Sequence, residues 1–227
     1  MREKSEKSEK RAMSDEILPK RMGRPIRKSG EPATNDKILD AAILLFSERG
    51  YEGTSMKQIA QAVGLTESAI YRHFKGKEDL LAEIIAMTER AVTQPISETG
   101  KDADGDSVFR RLFETPVEIF GADPRALRMC RIFFTECPHN DRMRAYLKYA
   151  MEEMADIEVR RILEARIKEG AIIPCDAKTI AHLINVIRYQ WCYQVAILDR
   201  GEAYDVTKNK RDLEPVIEYF ERLYTRG

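Results

Sequence analysis

Residues 59–74 read IAQAVGLTESAIYRHF, and the spacing of small and apolar residues within them is the most informative pattern in the chain. Ala60 precedes Gly64 by four residues. A helix-turn-helix needs a small residue where its two helices touch and a glycine that turns the chain with a positive φ. The apolar residues that would hold the second helix at a fixed angle are Ile59, Val63, Leu65 and Ile70. Together, in register, these features predict a helix-turn-helix.

The residues on either side of this motif are also helical in pattern. From Ile38 to Leu45, apolar residues recur at three- and four-residue steps, which predicts a first helix that Gly50 ends. The side chains able to cap the second and third helices are Thr54 or Ser55, and Thr66. A fourth helix is expected from about Lys77 to about Gln94, so the motif lies within a four-helix segment.

A polar segment, residues 97–106 (SETGKDADGD), is the predicted linker between this segment and the rest of the chain. Glycines and prolines beyond it separate further helices, which are predicted near residues 107–120, 124–136, 141–169, 176–199 and 212–224. No strand-like alternation exceeds four or five residues. The predicted fold class is therefore all-α, with a three-helix helix-turn-helix domain and a larger helical domain.

Two of the later helices have apolar patterns that predict how they pack. In the helix at 141–169, a narrow apolar stripe ends near Ile157 and resumes from Ile162 on a rotated face. This helix is expected to change its packing partner partway along. The helix at 176–199 is apolar nearly all round, which demands burial on two sides and predicts a subunit interface.

The composition excludes several classes of protein. The 227 residues are 43% hydrophobic and 33% charged, which is typical of a globular chain rather than a disordered or membrane-embedded one. The longest apolar runs fall far short of the ~20 residues that cross a bilayer. The sequence also begins without an apolar secretory leader. We expect a cytoplasmic protein with no membrane partner.

The four cysteines are far apart and form no C-x-x-C pair; they are Cys130, Cys137, Cys175 and Cys192. Cys137 and His139 could supply two metal ligands or a nucleophile with its base, but no second pair stands at a ligand spacing. We expect buried thiols in a reducing compartment, and neither a metal nor a cofactor.

The charges are balanced overall but not along the chain. The sequence has 38 lysines and arginines against 38 aspartates and glutamates. Residues 20–77 nevertheless contain 11 basic and 6 acidic residues, and residues 20–28 (KRMGRPIRK) hold five cations without an acid. A locally basic module within a neutral chain is compatible with a nucleic-acid partner.

Residues 36–85, DKILDAAILLFSERGYEGTSMKQIAQAVGLTESAIYRHFKGKEDLLAEII, closely resemble the DNA-binding domain of TetR-family transcriptional regulators. The matching residues are Ala41-Ala42, Phe46, Gly50-Tyr51, Thr54-Ser55, Ile59-Ala60, Gly64-Leu65, Tyr71-Arg72-His73-Phe74, Lys77-Glu78 and Leu80. Later helices resemble the family in number, length and order. The resemblance implies a charged basic arm at residues 1–31, a helix-turn-helix DNA-binding domain at 32–78, and a helical effector-binding and dimerisation domain at 79–227.

The resemblance also implies which residues contact DNA, because the second helix of such a motif lies in the major groove. The candidates for base contact are Glu67, Ser68 and Arg72. Thr66 is also a candidate DNA contact, but its primary role is expected to be that of a helix cap. Tyr71 and His73 match positions that contact phosphates or thymine methyls. Lys77 in the fourth helix, and Ser55 and Lys57 in the second, match positions that contact the DNA backbone. The alternative is that Tyr71 packs on the first helix and that His73 is an interior histidine.

The run Gly23-Arg24-Pro25 resembles the arms that some family members place before the first helix. Glycine and proline keep the chain thin around Arg24, which suits a narrow and electronegative minor groove. Arg21, Arg24 and Arg27 are therefore candidate readers of A·T tracts. The alternative is a solubilising tail.

For the larger domain, the resemblance implies a small-molecule pocket and a four-helix bundle formed with a second subunit. The predicted pocket residues are Phe109, Phe113, Phe120, Met129, Phe133, Met151, Met154, Trp191 and Tyr193. The predicted dimer-interface residues are Ile180, Leu183, Ile184, Ile187, Val216 and Phe220. About a third of the pocket candidates are expected to line a cavity, and the rest to be core.

These patterns lead to one expected function and two alternatives. The expected function is a repressor that binds a palindromic operator in double-stranded DNA as a homodimer. A small apolar or amphipathic effector, whose identity the sequence does not reveal, would release it. The alternatives are an architectural DNA-binding protein without a pocket, and an enzyme with an appended helix-turn-helix. His139 and His182 are the only histidines outside the recognition helix, so a catalytic cluster is not expected.

Overall fold

The computed structural model describes residues 32–92, 107–151 and 155–225. Internal contacts divide the chain after Asn35, and the packing described below is that of the second unit, residues 36–227. The α-helices in the described ranges are α1 Pro32–Arg49, α2 Met56–Ala62, α3 Glu67–Ile70, α4 Lys77–Val92, α5 Val108–Ala122, α6 Pro124–Glu136, α7 Asp141–Tyr149, α8 Ala155–Glu169, α9 Ala177–Tyr193 and α10 Val206–Tyr224. Since the same ranges contain no strand, the predicted all-α class is confirmed.

Side-chain caps determine where the short helices of the motif begin. Ser55 caps α2 in a reciprocal arrangement: its Oγ accepts from the Gln58 amide at 3.2 Å, and its own amide donates to Gln58 Oε1 at 2.8 Å. Thr66 caps α3 because its Oγ1 accepts from the Ala69 amide at 3.2 Å. The prediction for Thr66 is confirmed, and of the two candidates for α2 the cap is Ser55.

Two predicted helix boundaries were wrong. The last helix begins at Val206 rather than near residue 212, because Asp205 caps it by accepting from the Lys208 amide at 3.0 Å. The expected single helix at 141–169 consists of α7 and α8, and residues 150–151 after α7 are π-helical. The two parts pack in different cores, since Met143 of α7 lies in the first hydrophobic cluster and Val159 of α8 in the second. The predicted change of packing partner along this segment therefore agrees with the structure.

The first hydrophobic cluster joins the helix-turn-helix to the helices that follow it. Its buried members include Phe46 of α1, Ile59 of α2 and Ile70 of α3, and it continues into Met129 of α6 and Met143 of α7. Burial of such side chains contributes roughly 1.5–3 kcal/mol each. The three motif helices are therefore stabilised partly by residues that lie more than fifty positions further along the chain.

The second hydrophobic cluster lies among α5, α8, α9 and α10. Phe109 and Phe113 of α5 pack on Phe220 of α10, with ring centroids 5.5 and 5.6 Å apart. Trp191 of α9 stacks on Phe120 at 5.5 Å and donates its indole N–H to Asn209 Oδ1 at 3.1 Å. A π-helical turn, Gln194–Leu198, extends α9. None of the described helices is long and apolar enough to cross a membrane.

Candidate nucleic-acid interface

The turn between α2 and α3 positions the second helix of the motif. Gly64 has a φ of +70°, a backbone conformation that residues with a Cβ rarely adopt. The Leu65 amide then donates to the Ala60 carbonyl at 2.8 Å and closes the turn. Ile70 is fully buried beneath α3, so one face of this short helix is anchored in the first hydrophobic cluster.

The opposite face of α3 carries polar side chains that are open to solvent. Glu67, Ser68 and Arg72, the predicted base-contact residues, are all exposed. Thr66 is exposed as well, with its Oγ1 3.2 Å from Ser68 Oγ. Because Ile70 is buried, Glu67 and Ser68 project from a helix that is anchored in the fold, and Arg72 lies two residues beyond the end of that helix.

Tyr71 and His73 differ in their surroundings. Tyr71 is 47% exposed, which argues against the alternative that it packs on the first helix. His73 is half-buried and has interactions within the fold. The tyrosine hydroxyl is therefore open to a partner, whereas the histidine is in part a structural residue.

Lys77, which is predicted to contact the DNA backbone, binds the loop after α1 in this structure. Its Nζ donates to the Tyr51 carbonyl at 2.8 Å and lies 4.3 Å from the centre of the Tyr51 ring. Glu52 Oε2 is 3.7 Å from the same nitrogen. Lys57 and Ser55 are exposed at the start of α2, although the Ser55 hydroxyl already serves as a cap. Of the two lysines, Lys57 is therefore the one whose ammonium group is more available to a phosphate.

Two residues that the sequence did not suggest connect the motif to the larger domain. Glu136, at the end of α6, is 8% exposed, and its Oε1 accepts from the Tyr51 amide at 3.1 Å. Arg200 donates to the Glu48 carbonyl at the end of α1. Their partners lie 85 and 152 positions away in sequence, so no local pattern could have indicated either contact.

Four predicted site residues lie outside the described residues: Arg21, Arg24 and Arg27 of the basic arm, and Met154 of the predicted pocket.

Of the other predicted pocket residues, Met151 and Tyr193 line a cavity beside α9. This cavity has a volume of about 370 Å³ and opens on one side of α9; its walls are Phe134, Met151, His182, Asn185, Val186, Tyr189, Gln190 and Tyr193. The remaining candidates, which are packed in the two hydrophobic clusters, are Phe109, Phe113, Phe120, Met129, Phe133 and Trp191. They are core residues because their rings and chains fill the space between neighbouring helices.

One end of the cavity is polar. Asp156 of α8 accepts from Asn185 Nδ2 at 2.8 Å, and its second oxygen is 3.0 Å from His182 Nδ1. Phe134 and Tyr193 meet edge to face at 5.3 Å at the apolar end. Burial raises the pKa of Tyr189 well above its ordinary value, so this phenol is a neutral hydrogen-bonding group. The cavity therefore suits a molecule with an apolar body and a polar end.

The predicted dimer residues divide between the core and the surface. Ile180, Ile184 and Phe220 are buried within the chain and have almost no surface to offer a second copy. Ile187 and Val216 are partly buried, whereas Leu183 is 45% exposed. Other large apolar side chains exposed on α9 and α10 are Val186, Tyr193, Tyr219 and Leu223.

Comparison with known proteins agrees with this geometry. The family model described as "Bacterial regulatory proteins, tetR family" matches residues 38–84. The transcriptional regulator AcrR of Shigella flexneri is 30% identical over 198 residues, which covers 84% of this chain and 91% of that protein. The regulator IcaR of Staphylococcus aureus strain Newman, named a negative regulator of the biofilm operon icaADBC, is 34% identical over 105 residues. That match covers 41% of this chain and half of IcaR.

Solved structures with low sequence identity share the fold. A TetR-family regulator from Mesorhizobium loti MAFF303099 superposes with a TM-score of 0.63 at 20% identity, covering 88% of this chain and all of that one. The fatty acid degradation regulator FadR of Bacillus halodurans has a TM-score of 0.60 at 19% identity, covering 84% of this chain and 96% of that one. The matched proteins are transcriptional regulators rather than enzymes.

Proposed function

Because the chain belongs to the TetR family of bacterial transcriptional regulators, we propose that it is a cytoplasmic repressor that binds a palindromic operator as a homodimer. The proposal rests on the exposure of the polar residues of α3, a helix that the buried Ile70 and the turn at Gly64 anchor in the fold. Repression is supported by the similarity to IcaR, which is named a negative regulator.

In the proposed complex, α3 enters the major groove with its amino-terminal residues at base edges. The Arg72 guanidinium can pair with the O6 and N7 atoms of guanine, and the Glu67 carboxylate can accept from cytosine N4. Lys57 and Tyr71 are both exposed, and an ammonium and a phenol hydroxyl are groups that bind phosphates. Arg24 would reach the adjacent minor groove.

The proposed dimer uses the exposed apolar residues of α9 and α10 rather than the buried ones. Leu183 of α9 and Tyr219 and Leu223 of α10 are each more than 40% exposed. Burying such side chains against a second copy removes apolar surface from water. A two-fold axis would set two copies of α3 about 34 Å apart, as successive major grooves require.

The proposed effector is a small apolar or amphipathic molecule that occupies the cavity beside α9. Such a ligand releases DNA only if it binds better to the form whose recognition helices are misplaced. α6 offers a direct connection, because it carries both Phe134 of the cavity wall and Glu136, which holds the Tyr51 amide. Phe134 is only two residues before Glu136. A ligand that displaces Phe134 would therefore also disturb the hydrogen bond between Glu136 and the Tyr51 amide.

The test is selection of binding sites from random DNA with the purified full chain, followed by titration of the selected site. We expect a palindromic consensus, two chains per site, and affinity that falls steeply as salt rises, because phosphate contacts release counterions.

One chain per site would contradict the homodimer. Binding without a consensus would instead indicate an architectural DNA-binding protein. Mass spectrometry of small molecules that co-purify with the chain tests the effector: an apolar or amphipathic compound supports the proposal, and a strongly polar one contradicts it.

A further inference from the structure

The outward face of α9 is an uncharged stripe with exposed apolar side chains. From Thr179 to the end of the helix, the exposed residues are Thr179, His182, Leu183, Val186, Gln190 and Tyr193. None of them is a lysine, an arginine, an aspartate or a glutamate. Val186 is 51% exposed and Tyr193 is 44% exposed, and exposed apolar side chains that follow one another along a helix mark an interaction surface.

The same stripe is part of the wall of the cavity beside α9. His182, Val186, Gln190 and Tyr193 belong to both. Six of the eight lining residues are on α9, and the other two are Phe134 of α6 and Met151, which follows α7. The cavity is therefore a groove along one helix. Because a binding pocket covers roughly 70–90% of the surface of its ligand, this groove needs a further wall to enclose one.

A second copy of the chain is the occupant that suits the open side of the groove. In a two-fold interface the same surface of each subunit meets its copy, so a charge on that surface would face a like charge. The α9 stripe has no such charge, whereas the exposed residues of the neighbouring α8 include Arg161, Glu164 and Lys168. The stripe also contains Leu183, which already belongs to the proposed dimer surface.

We propose that a second copy of the chain closes this cavity, so that the effector is held between α9 and the partner subunit. The closed site rests on the proposed function, because it requires both the homodimer and the effector. The apolar body of the ligand would lie against Val186 and Tyr193. Its polar end would lie near His182, whose Nδ1 is 3.0 Å from Asp156 Oδ2.

A shared site couples the effector to the assembly of the dimer. A ligand that is enclosed only in the dimer binds the dimer more tightly than the monomer, and by linkage it strengthens the dimer. The effector would therefore release DNA by changing the arrangement of the two recognition helices within an intact dimer, and not by separating the subunits.

The experiment titrates the purified full chain with N-phenyl-1-naphthylamine, an uncharged apolar fluorophore with one N–H group. Sedimentation velocity measures self-association with and without this probe. We expect probe binding to rise in parallel with the fraction of dimer, and the probe to lower the protein concentration at which half of the chains are dimeric. No binding to the dimer, equal affinity for monomer and dimer, or dissociation of the dimer by the probe would overturn the proposal.

Charged variants on two different helices separate the dimer from the cavity wall. Leu183→Arg on α9 and Tyr219→Arg on α10 alter exposed residues that do not line the cavity. Each should weaken probe binding by about tenfold or more as the dimer is lost, since an open groove leaves apolar ligand surface in water. Ile119→Arg on α5 is the control and should bind like the parent chain. A monomeric variant with the parent affinity would contradict the shared site.

A variant of the cavity wall shows whether the probe occupies this cavity. Met151 lines the cavity but lies outside the α9 stripe, so Met151→Trp reduces the space for a ligand without changing the stripe. It should abolish probe binding and leave the dimer intact. Unchanged probe binding would place the probe elsewhere and overturn the proposal.

Titration of the selected operator distinguishes a failure of this inference from a failure of the proposed function. If the parent chain binds the operator as two chains per site while the Leu183→Arg monomer keeps the probe, the shared site is wrong and the proposed repressor stands. If the parent chain binds as one chain per site, the proposed homodimer and the shared site are both wrong.

Discussion

At the scale of single residues, exposure separates the side chains of the helix-turn-helix region that can recognise DNA from those that hold the fold. Arg72 and Lys57 are exposed, whereas Ile70 is buried and Lys77 is bonded to the Tyr51 carbonyl. Base contacts and phosphate contacts differ in what they do to specificity and to salt dependence. The two exposed cations can therefore be distinguished by experiment.

Arg72→Ala should weaken binding to the selected operator by about 1–3 kcal/mol and relax the base preference at one position, because a bidentate base contact is lost. Lys57→Ala should weaken binding to all sequences and reduce the salt slope by about one. Titrations against operator and mutated operator at several salt concentrations measure both effects. If Arg72→Ala weakened every sequence equally, Arg72 would be a phosphate contact.

Glu136 is the residue through which α6 holds the loop after α1. Glu136→Ala should destabilise the chain by about 1–3 kcal/mol, because it leaves the Tyr51 amide without its acceptor near the end of a buried helix. Glu136→Gln keeps an acceptor oxygen of the same length and is the matched control. Urea denaturation at pH 7 measures both, and equal stabilities for the two variants would show that the hydrogen bond contributes little.

At the scale of helices, α5 and α10 are joined by ion pairs as well as by aromatic packing. Arg110 of α5 forms two hydrogen bonds with the Glu214 carboxylate, and Lys210 of α10 lies 2.6 Å from both Glu114 and Glu118. The bonds to Arg110 lower the pKa of Glu214 below its ordinary value of 4.5. Phe220 packs beneath this surface network on Phe109 and Phe113.

The pH dependence of stability follows from the lowered pKa of Glu214. A carboxyl group with a lower pKa in the folded chain stabilises that chain at pH values above its unfolded pKa. This contribution is lost as the pH falls below about 4.5 and through the folded pKa. Glu214→Gln should lower stability by at most about 1 kcal/mol at pH 7, since the pair is partly solvated. The difference between parent and variant should shrink in urea titrations as the pH falls below about 4.5, and a constant difference across the pH range would contradict the ion-pair origin.

At the scale of the whole molecule, a continuous core couples the motif to the larger domain. The first hydrophobic cluster runs from Phe46 and Ile70 into Met129 and Met143. Polar contacts reinforce it, including the 3.5 Å pair between Asp40 of α1 and Arg125 of α6. A movement of α6 would therefore act directly on α1 and on the loop that follows α1.

The proposed dimer can be tested by placing a charge at its centre. Leu183→Arg should shift the chain towards monomer, because an unpaired cation would have to be buried between two copies. Ile119→Arg is the matched control, since Ile119 is similarly exposed, at 47%, but belongs to α5 rather than to α9 or α10. Sedimentation velocity over a range of concentrations measures the change, and a dimer that tolerates arginine at 183 would exclude this surface as the interface.

Local patterns in the sequence determined the all-α class, the turn at Gly64, the cap at Thr66 and the exposed polar face of α3. These features depend on residues within a few positions of one another, which is why periodicity and capping could predict them. Tertiary structure alone decided which aromatic residues fill the core, where the cavity lies, and that Glu136 holds the Tyr51 amide. Those contacts join residues dozens of positions apart, and helical periodicity specifies which face of a helix is buried but not which partner covers it.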